Sequence, residues 1–275
     1  MEWLCTGDTH GYLELHRRLQ RIESGQGAVR LGERALIILG DAGLNFCLDE
    51  SEVESKKRLS KFNTYIYCVR GNHEARPESL GYEKIFDKKV DGEVYIDGAN
   101  SLIRYFIDGG IYTINGYKVL VIGGAYSVDK WYRLERAKIL NCASGWFENE
   151  QLSLEEMREI ESRVRGQCFD FVFSHSCPIS WQPTDLFLNG VDQSAVDKSM
   201  EIWLDELKDK ITWGYWCFGH YHADRCERPH VEMFYQDFDD LTSIAERWHT
   251  FDSTGELDWW IECAPNFDKE MDKNE

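Results

Sequence analysis

The chain has 275 residues, enough to bury the hydrophobic core of one large domain or two small ones. Its 31 Lys and Arg residues against 49 Asp and Glu residues give a net charge of −18. Because binding along a nucleic-acid backbone requires a basic face, this charge disfavours extended nucleic acid as a partner. Hydrophobic residues make up 43% of the chain, which excludes disorder for most of it.

The sequence also bears on compartment and membrane contact. No apolar run approaches the roughly 20 residues that a membrane-spanning helix needs, and residues 1–8 lack the basic and then apolar pattern of a leader. The nine cysteines are scattered and form no Cys-x-x-Cys pair, which is typical of reduced thiols. We therefore expect a soluble cytoplasmic protein with no membrane partner.

Strand-like apolar runs alternate with helical patterns along the first quarter of the chain, as in α/β proteins. Strands are predicted at residues 2–6, 35–39 and 64–69, with helices at 12–23 and 50–62. Short strands follow at 93–96, 102–107, 111–114 and 118–122, the last two joined by the hairpin turn Asn115-Gly116. Further helices are predicted at 153–164 and 194–207, and further strands at 169–173, 213–218, 231–235 and 257–261.

No linker or internal repeat divides the chain. We therefore expect a single domain over residues 1–265, with helices packed around two sheet layers. The last ten positions, 266–275, are charged and predicted to be a frayed tail.

Five loop motifs carry the functional signal, and each directly follows a predicted strand. They are Gly7-Asp8-Thr9-His10-Gly11, Gly40-Asp41-Ala42-Gly43, Gly71-Asn72-His73-Glu74, Ser174-His175-Ser176 and Gly219-His220-Tyr221-His222. Five of the 8 histidines fall within them. Because α/β proteins place their sites at the carboxyl ends of strands, these side chains are expected to meet.

The residue types in these loops suit first-row divalent metal ions. Asp8 and His10 are two positions apart, so an extended strand end can direct both at one ion, and His220 and His222 repeat that spacing. Asp41 has two oxygens that could bridge two ions. Each motif alone is more often an ordinary polar turn, but five of them at strand ends together predict a metal site.

The order and spacing of these motifs resemble the calcineurin-like metallophosphoesterase superfamily. That family carries Asp-x-His, Gly-Asp, Gly-Asn-His-Asp/Glu, His and Gly-His-x-His, and all five elements are present between residues 7 and 222. The chain also resembles a branch of bacterial and phage members at residues 6–11, 111–133 and 218–222. The second of these stretches contains Gly123-Gly124-Ala125-Tyr126-Ser127.

The resemblance implies a four-layer α/β/β/α sandwich with a site for two divalent metal ions. It assigns the first ion to Asp8, His10, Asp41 and His222. It assigns the second ion to Asp41, Asn72, His175 and His220, with Asp41 bridging. Nitrogen and oxygen ligands of this kind favour manganese, with iron, zinc or nickel as alternatives.

The resemblance further implies hydrolysis of phosphate mono- or diesters by attack of a metal-bridged hydroxide. His73 would be the general acid that protonates the leaving oxygen. The alternative role for His73 is to orient a metal-bound water by hydrogen bonding. The expected partner is a small phosphorylated substrate or nucleotide, and the oligomeric state stays open.

The second motif departs from the protein-phosphatase pattern Gly-Asp-x-x-Asp-Arg-Gly. Residues 40–46 lack both the second Asp, which would orient the catalytic His, and the Arg, which would bind the phosphate. A serine/threonine phosphatase is therefore the second hypothesis, followed by a nuclease and by a catalytically silent, metal-stabilised interaction module. The missing cation must come from elsewhere, with Arg133 and Arg76 as candidates, and Tyr126 is a candidate for stacking on a ring of the substrate.

Overall fold

Two β-sheets form the centre of the protein in the computed structural model, which describes residues 1–24, 30–187, 189–256 and 264. The first sheet has seven strands in the order β13-β1-β2-β3-β6-β5-β4. Their bounds are β1 Glu2–Thr6, β2 Arg34–Ile38, β3 Thr64–Cys68, β4 Glu83–Asp87, β5 Gly92–Ile96, β6 Ile103–Phe106 and β13 Phe238–Asp240. Strands β1, β2, β3 and β6 are parallel to their neighbours in this series.

The second sheet has six strands in the order β11-β12-β10-β9-β8-β7. Their bounds are β7 Gly110–Ile114, β8 Tyr117–Ile122, β9 Cys168–Ser174, β10 Thr212–Phe218, β11 Arg225–Arg228 and β12 Val231–Met233. Strands β8, β9, β10 and β12 run parallel. Each sheet therefore has a parallel centre with antiparallel edges.

Helices connect the strands and cover both sheets. Their bounds are α1 Tyr12–Ser24, α2 Glu50–Leu59, α3 Lys130–Leu140, α4 Leu154–Val164, α5 Ser199–Lys208 and α6 Leu241–Thr254. Helix α4 begins with a capping box in which Ser153 and Glu156 satisfy each other's backbone N–H groups. None of the described helices is long and apolar enough to cross a membrane.

Three groups of buried side chains account for a four-layer α/β/β/α arrangement. The central group lies between the sheets and joins residues such as Trp3 and Ile37 of the first sheet to Phe171 of the second. A second group packs α1 and α2 on the outer face of the first sheet. A third packs α4 and α5 on the outer face of the second. The sandwich predicted from the sequence is therefore confirmed.

Several element predictions need correction. Helix α2 ends at Leu59, not at position 62, and α5 begins at Ser199, because residues 193–195 form a separate 3-10 turn. The elements β4, β11, β13, α3 and α6 were not predicted. Strand β4 is a largely exposed edge strand and α3 buries no side chain, so neither has a clear apolar period. Helix α6 does have one, in its buried residues Leu241, Ile244 and Trp248, and was overlooked. The predicted strand 257–261 and the tail 266–275 lie outside the described residues.

Candidate metal centre

The loops that follow β1, β2, β3, β9 and β10 bring together all seven side chains that the sequence singled out as ligands. Ligand atoms of Asp8, His10 and His222 lie within 4.8 Å of one another. His10 Nε2 is 2.8 Å from His222 Nε2, which is 3.1 Å from Asp8 Oδ2. Both rings are exposed, whereas Asp8 is buried. This group therefore opens towards solvent.

A second group lies deeper in the same edge. Ligand atoms of Asp8, Asp41 and His175 again lie within 4.8 Å of one another, and all three residues are buried. The Asn72 amide oxygen is 2.8 Å from His175 Nε2. The ring of His220 stands edge-on to that of His175, with centroids 5.0 Å apart. The two groups share Asp8 and adjoin at Asp41.

Four of these residues have left-handed backbone conformations that side chains other than glycine rarely adopt. The φ angles are 47° at His10, 48° at Asp41, 71° at His220 and 56° at His222. Such residues cost about 1–3 kcal/mol each and concentrate at functional sites, where the surrounding structure enforces them. The strained backbone therefore indicates that these loops are held in conformations that direct the four side chains towards the site.

Close approach between the loops enforces this backbone. The N–H of His10 donates to the Asp41 carbonyl at 2.8 Å. A Cβ at Gly43 would lie 2.2 Å from the backbone nitrogen of Gly11, and one at Gly71 would lie 1.9 Å from Asp41 Oδ1. Glycine is thus required at both positions for the ligand loops to pack together.

Two buried charged residues hold the same loops: Arg18, which was not predicted, and Glu74, which was part of the third motif but was given no role. Arg18 of α1 donates to the carbonyl oxygens of Gly7 and Asp8 at 2.9 and 2.6 Å. Glu74 accepts the backbone N–H groups of Gly43 and Gly71, both at 3.0 Å. A sequence signal did exist for Arg18, since it lies among the apolar positions of α1.

The carboxylates of the centre have strongly perturbed protonation. Burial raises the pKa of Asp41 well above its ordinary value, and the negative charges of Asp8 and Glu74 raise it further. Burial also acts to raise the pKa of Asp8, but its hydrogen bond with His222 and nearby histidine charges outweigh this, and the pKa lies well below its usual range. Two adjacent buried carboxylates of this kind are suited to a divalent cation.

The imidazoles complete a donor set that fits such ions. Burial lowers the pKa of His175 and of His220, so both rings are neutral at pH 7 and have a lone pair for coordination. His175 Nδ1 lies 2.8 Å from the Leu39 carbonyl, which fixes the ring and leaves Nε2 facing the centre. Oxygen and neutral nitrogen donors therefore converge as a first-row metal requires.

His73 lies at the mouth of this centre. Its backbone N–H donates to Asp41 Oδ1 at 2.8 Å, and its Nε2 is 3.8 Å from Asp41 Oδ2. Its Nδ1 is buried and has no hydrogen-bond partner among the described residues, which matches the absence of the orienting Asp from the second motif. Burial and the Arg133 charge lower the pKa of His73 to about 3.

Arg133 is the cation that the structure brings to this position. Its Nη2 lies 3.4 Å from His73 Nε2. Its Nε donates to Asp129 at 2.6 Å and its Nη1 to the Gly145 carbonyl at 3.1 Å, while the guanidinium stacks over Phe46 at 5.5 Å. The guanidinium is thus held at the site from a segment remote from the second motif.

The other two candidates for substrate contact are placed differently. The Arg76 guanidinium donates to the Asn149 and Gln151 carbonyls at 3.0 and 2.9 Å and forms an ion pair with Glu156, so its donors are already used. Tyr126 is only 8% exposed and therefore offers little ring surface for stacking. Neither is brought to the metal centre as Arg133 is.

A sandwich of two sheets with Asp, Asn and His side chains converging at the carboxyl ends of its strands defines the class of metal-dependent phosphoester hydrolases. Consistent with this, residues 1–224 match the family model described as calcineurin-like phosphoesterase, and the protein belongs to that family. The family binds divalent metal ions and hydrolyses phosphate esters. No curated protein has a significant match to the chain.

Proposed function

We propose that the protein is a dinuclear metallophosphoesterase that hydrolyses phosphate mono- or diesters of a small molecule or nucleotide. The observation that carries the proposal is the convergence of seven oxygen and nitrogen ligands beside a histidine and an arginine. Ligand atoms lie within 4.8 Å of one another in two groups that share Asp8. His73 and Arg133 flank these groups, 3.4 Å apart.

The ligands divide between two ions as the motifs suggest. The first ion would be held by Asp8, His10, Asp41 and His222, and the second by Asp41, Asn72, His175 and His220. Two divalent ions in such a site orient a phosphate ester and lower the pKa of a water nucleophile. Manganese suits the mixture of imidazole and carboxylate ligands, with iron, zinc or nickel as alternatives.

Arg133 supplies the charge that binds the phosphate. Its Nη2 faces His73, and a guanidinium can donate two parallel hydrogen bonds to phosphate oxygens. Asp129 and the Gly145 carbonyl anchor the other donors, so the orientation is set before substrate arrives. This arrangement compensates for the arginine missing from the second motif.

His73 acts on the leaving oxygen as general acid. Arg133 contributes to the low pKa of His73, and a phosphate dianion bound to that guanidinium would offset its charge. Substrate binding therefore favours protonation of the imidazole next to the leaving group. The proton then passes to the oxygen of the departing alcohol.

The adjoining cleft indicates the size of the substrate. It has a volume of about 350 Å³ and is lined by residues that include His10, Tyr12, Phe46, His73 and Arg133. Arg133 is the sole Lys or Arg among the described residues lining it. A compact ester with one phosphate group at the centre fits this space better than a polyanionic chain.

The proposal is tested by assaying the purified protein, with and without added Mn²⁺, on p-nitrophenyl phosphate and bis-p-nitrophenyl phosphate. Turnover that requires metal supports the proposal, and the ratio of the two rates separates monoesterase from diesterase activity. A panel of nucleotides, phosphosugars and phosphopeptides then defines the substrate. Absence of turnover on all of them at full metal occupancy would overturn the proposal in favour of a silent interaction module.

A further inference from the structure

The Asn72 side chain is held at the NH₂ end of its amide, and its oxygen faces the lone pair of His175 Nε2. Its Nδ2 donates to Ser127 Oγ at 2.8 Å, and its Oδ1 lies 2.8 Å from His175 Nε2. Nδ2 also lies 3.3 Å from His73 Nε2. An amide can coordinate a metal ion through its oxygen but not through its NH₂ group. The orientation of this one amide therefore decides whether Asn72 can act as a ligand.

Glu150 fixes the direction of the hydrogen bond between Asn72 and Ser127. The Ser127 backbone N–H donates to Glu150 Oε1 at 3.0 Å, and the Ser127 hydroxyl donates to Oε2 at 2.6 Å. Because the hydroxyl hydrogen is used on the carboxylate, Oγ is left as an acceptor facing Asn72. Only the NH₂ end of the amide can satisfy that acceptor.

The chain of hydrogen bonds from Asn72 through Ser127 to Glu150, called the relay from here on, is fully buried. Asn72, Ser127 and Glu150 are 2%, 1% and 3% exposed. Burial raises the pKa of Glu150, and the two hydrogen bonds from Ser127 act against this by stabilising the charged carboxylate. The Glu150 backbone is also anchored, since its carbonyl accepts Arg70 Nη1 at 2.5 Å. In such surroundings a reversed amide would leave buried groups unpaired, which is costly.

We propose that Ser127 and Glu150 are positioning residues that hold the Asn72 amide oxygen towards the second metal ion. The proposal rests on the proposed function in one respect, which is that Asn72 is a ligand of that ion. It assigns a role to the segment Gly123-Gly124-Ala125-Tyr126-Ser127, which the ligand motifs left unexplained. That segment leads directly into the turn and helix that carry Arg133.

Two variants test the relay on the 275-residue protein after metal is stripped with a chelator and the chelator removed. Ser127→Ala deletes the acceptor. Glu150→Gln keeps the shape but adds a donor, which lets the Ser127 hydroxyl turn towards Asn72 and favours the reversed amide. For both we expect the dissociation constant of the Mn²⁺ ion that Asn72→Ala weakens to rise about 10–100-fold, as removal of groups that orient a ligand does.

Calorimetric titration with Mn²⁺ alone measures this constant, and elemental analysis gives the number of ions bound. Affinity for the first ion should stay within about twofold, because its ligands do not contact the relay. Glu232→Gln is the matched control: it alters a buried carboxylate that accepts Arg247 and Trp248. Circular dichroism and thermal melts show whether each variant is folded, and Glu150→Gln, being isosteric, keeps the test open if Ser127→Ala unfolds.

A double-mutant cycle distinguishes an effect of Glu150 on the orientation of the Asn72 amide from an effect on the stability of the whole protein. Asn72→Asp replaces the amide by a carboxylate, whose two oxygens are equivalent ligands and need no orientation. In that background Glu150→Gln should change the second dissociation constant by less than about threefold. An undiminished 10–100-fold effect there would mean that Glu150 acts through general stability, and would overturn the proposal.

Failure of the relay and failure of the ligand set give different results. If Asn72→Ala leaves binding of both ions unchanged, Asn72 is not a ligand and the proposed metal assignment fails. If Asn72→Ala weakens the second ion while Ser127→Ala and Glu150→Gln do not, only the positioning role is overturned.

Discussion

The metal centre and the wall that faces it are built in contrasting ways. The ligands come from the ends of buried parallel strands, and Asp41 and His175 are almost fully enclosed. The facing wall is formed by residues 128–147, whose helix α3 has no buried side chain and leaves Trp131 and Tyr132 66% and 68% exposed. The proposed metal ligands thus rely on the core for their placement, whereas the proposed substrate contact relies on a surface helix.

The difference in burial reflects how precisely the side chains of each region must be positioned. A divalent ion tolerates little change in ligand position, so its loops are tied by hydrogen bonds to buried charges such as Arg18 and Glu74. A guanidinium that binds phosphate needs only its direction fixed, and Asp129 does this within one turn of α3. We therefore expect ligand substitutions to remove activity and metal together, and substitutions in the wall to alter substrate use alone.

The largest effect is expected at Asp41, the carboxylate proposed to bridge the two ions. Asp41→Asn should abolish measurable turnover and weaken binding of both ions, because an amide contributes no charge to either. Activity on p-nitrophenyl phosphate and metal content of the purified variant are the measurements. Two tightly held ions per chain in this variant would contradict the shared role of Asp41.

Removal of metal from the unaltered protein should have a comparable effect. Dialysis against a chelator should eliminate turnover, and Mn²⁺ should restore it better than Mg²⁺ does, because imidazole ligands disfavour magnesium. The measurement is the rate recovered at saturating concentrations of each ion. Equal recovery with Mg²⁺ would count against the proposed histidine ligands.

His73 lies between the two regions, and its replacement should affect chemistry without removing metal. His73→Ala should lower kcat by about 10²–10⁴-fold for esters with poor leaving groups, since protonation of the leaving oxygen is lost. The loss should be much smaller for a nitrophenyl ester, whose leaving group departs unprotonated.

The check is kcat for an alkyl and a nitrophenyl phosphate in both proteins, with metal content measured alongside. Equal deficits for the two esters would exclude the general-acid role. His73 would then be a residue that orients the attacking water instead.

Replacing Arg133 tests whether the wall contributes to substrate binding. Arg133→Ala should lower kcat/KM by about 10–100-fold, the equivalent of one charged hydrogen-bonding group at roughly 1.5–3 kcal/mol, with both ions retained. Arg136→Ala, an exposed arginine on the same helix, is the matched control and should behave like the parent protein. Loss of metal from the Arg133 variant would remove the distinction between wall and centre.

The smallest effect is expected for the exposed face of α3. Trp131→Ala should change the free energy of unfolding by less than about 0.5 kcal/mol, because the side chain packs little against the protein. Leu204→Ala on α5 provides the contrast, since Leu204 is 0% exposed in the outer core and its truncation should cost about 2–5 kcal/mol. Denaturant unfolding of both variants measures the difference.

Local sequence patterns were enough to predict the central strands and the residues at their ends. Apolar runs such as 35–39 and 64–69 are local signals, and the ligand motifs directly follow them, so chain order was enough to bring Asp8, Asp41 and Asn72 to one edge. The candidate ligands were therefore accessible without coordinates, and the family and the four layers followed from the resemblance that the motifs carry.

The residues that support those ligands from remote parts of the chain became visible only in the folded arrangement. Arg133 and Arg76 were both candidate cations, with Arg133 preferred for its place after a strand and a glycine loop, but only the contacts show that one guanidinium lies beside His73 and the other is bound to Glu156. Ser127 and Glu150 meet Asn72 through contacts that span 55 and 23 positions. Periodicity and motif spacing report neighbours along one element, whereas the partner of a buried polar group is set by how distant segments pack.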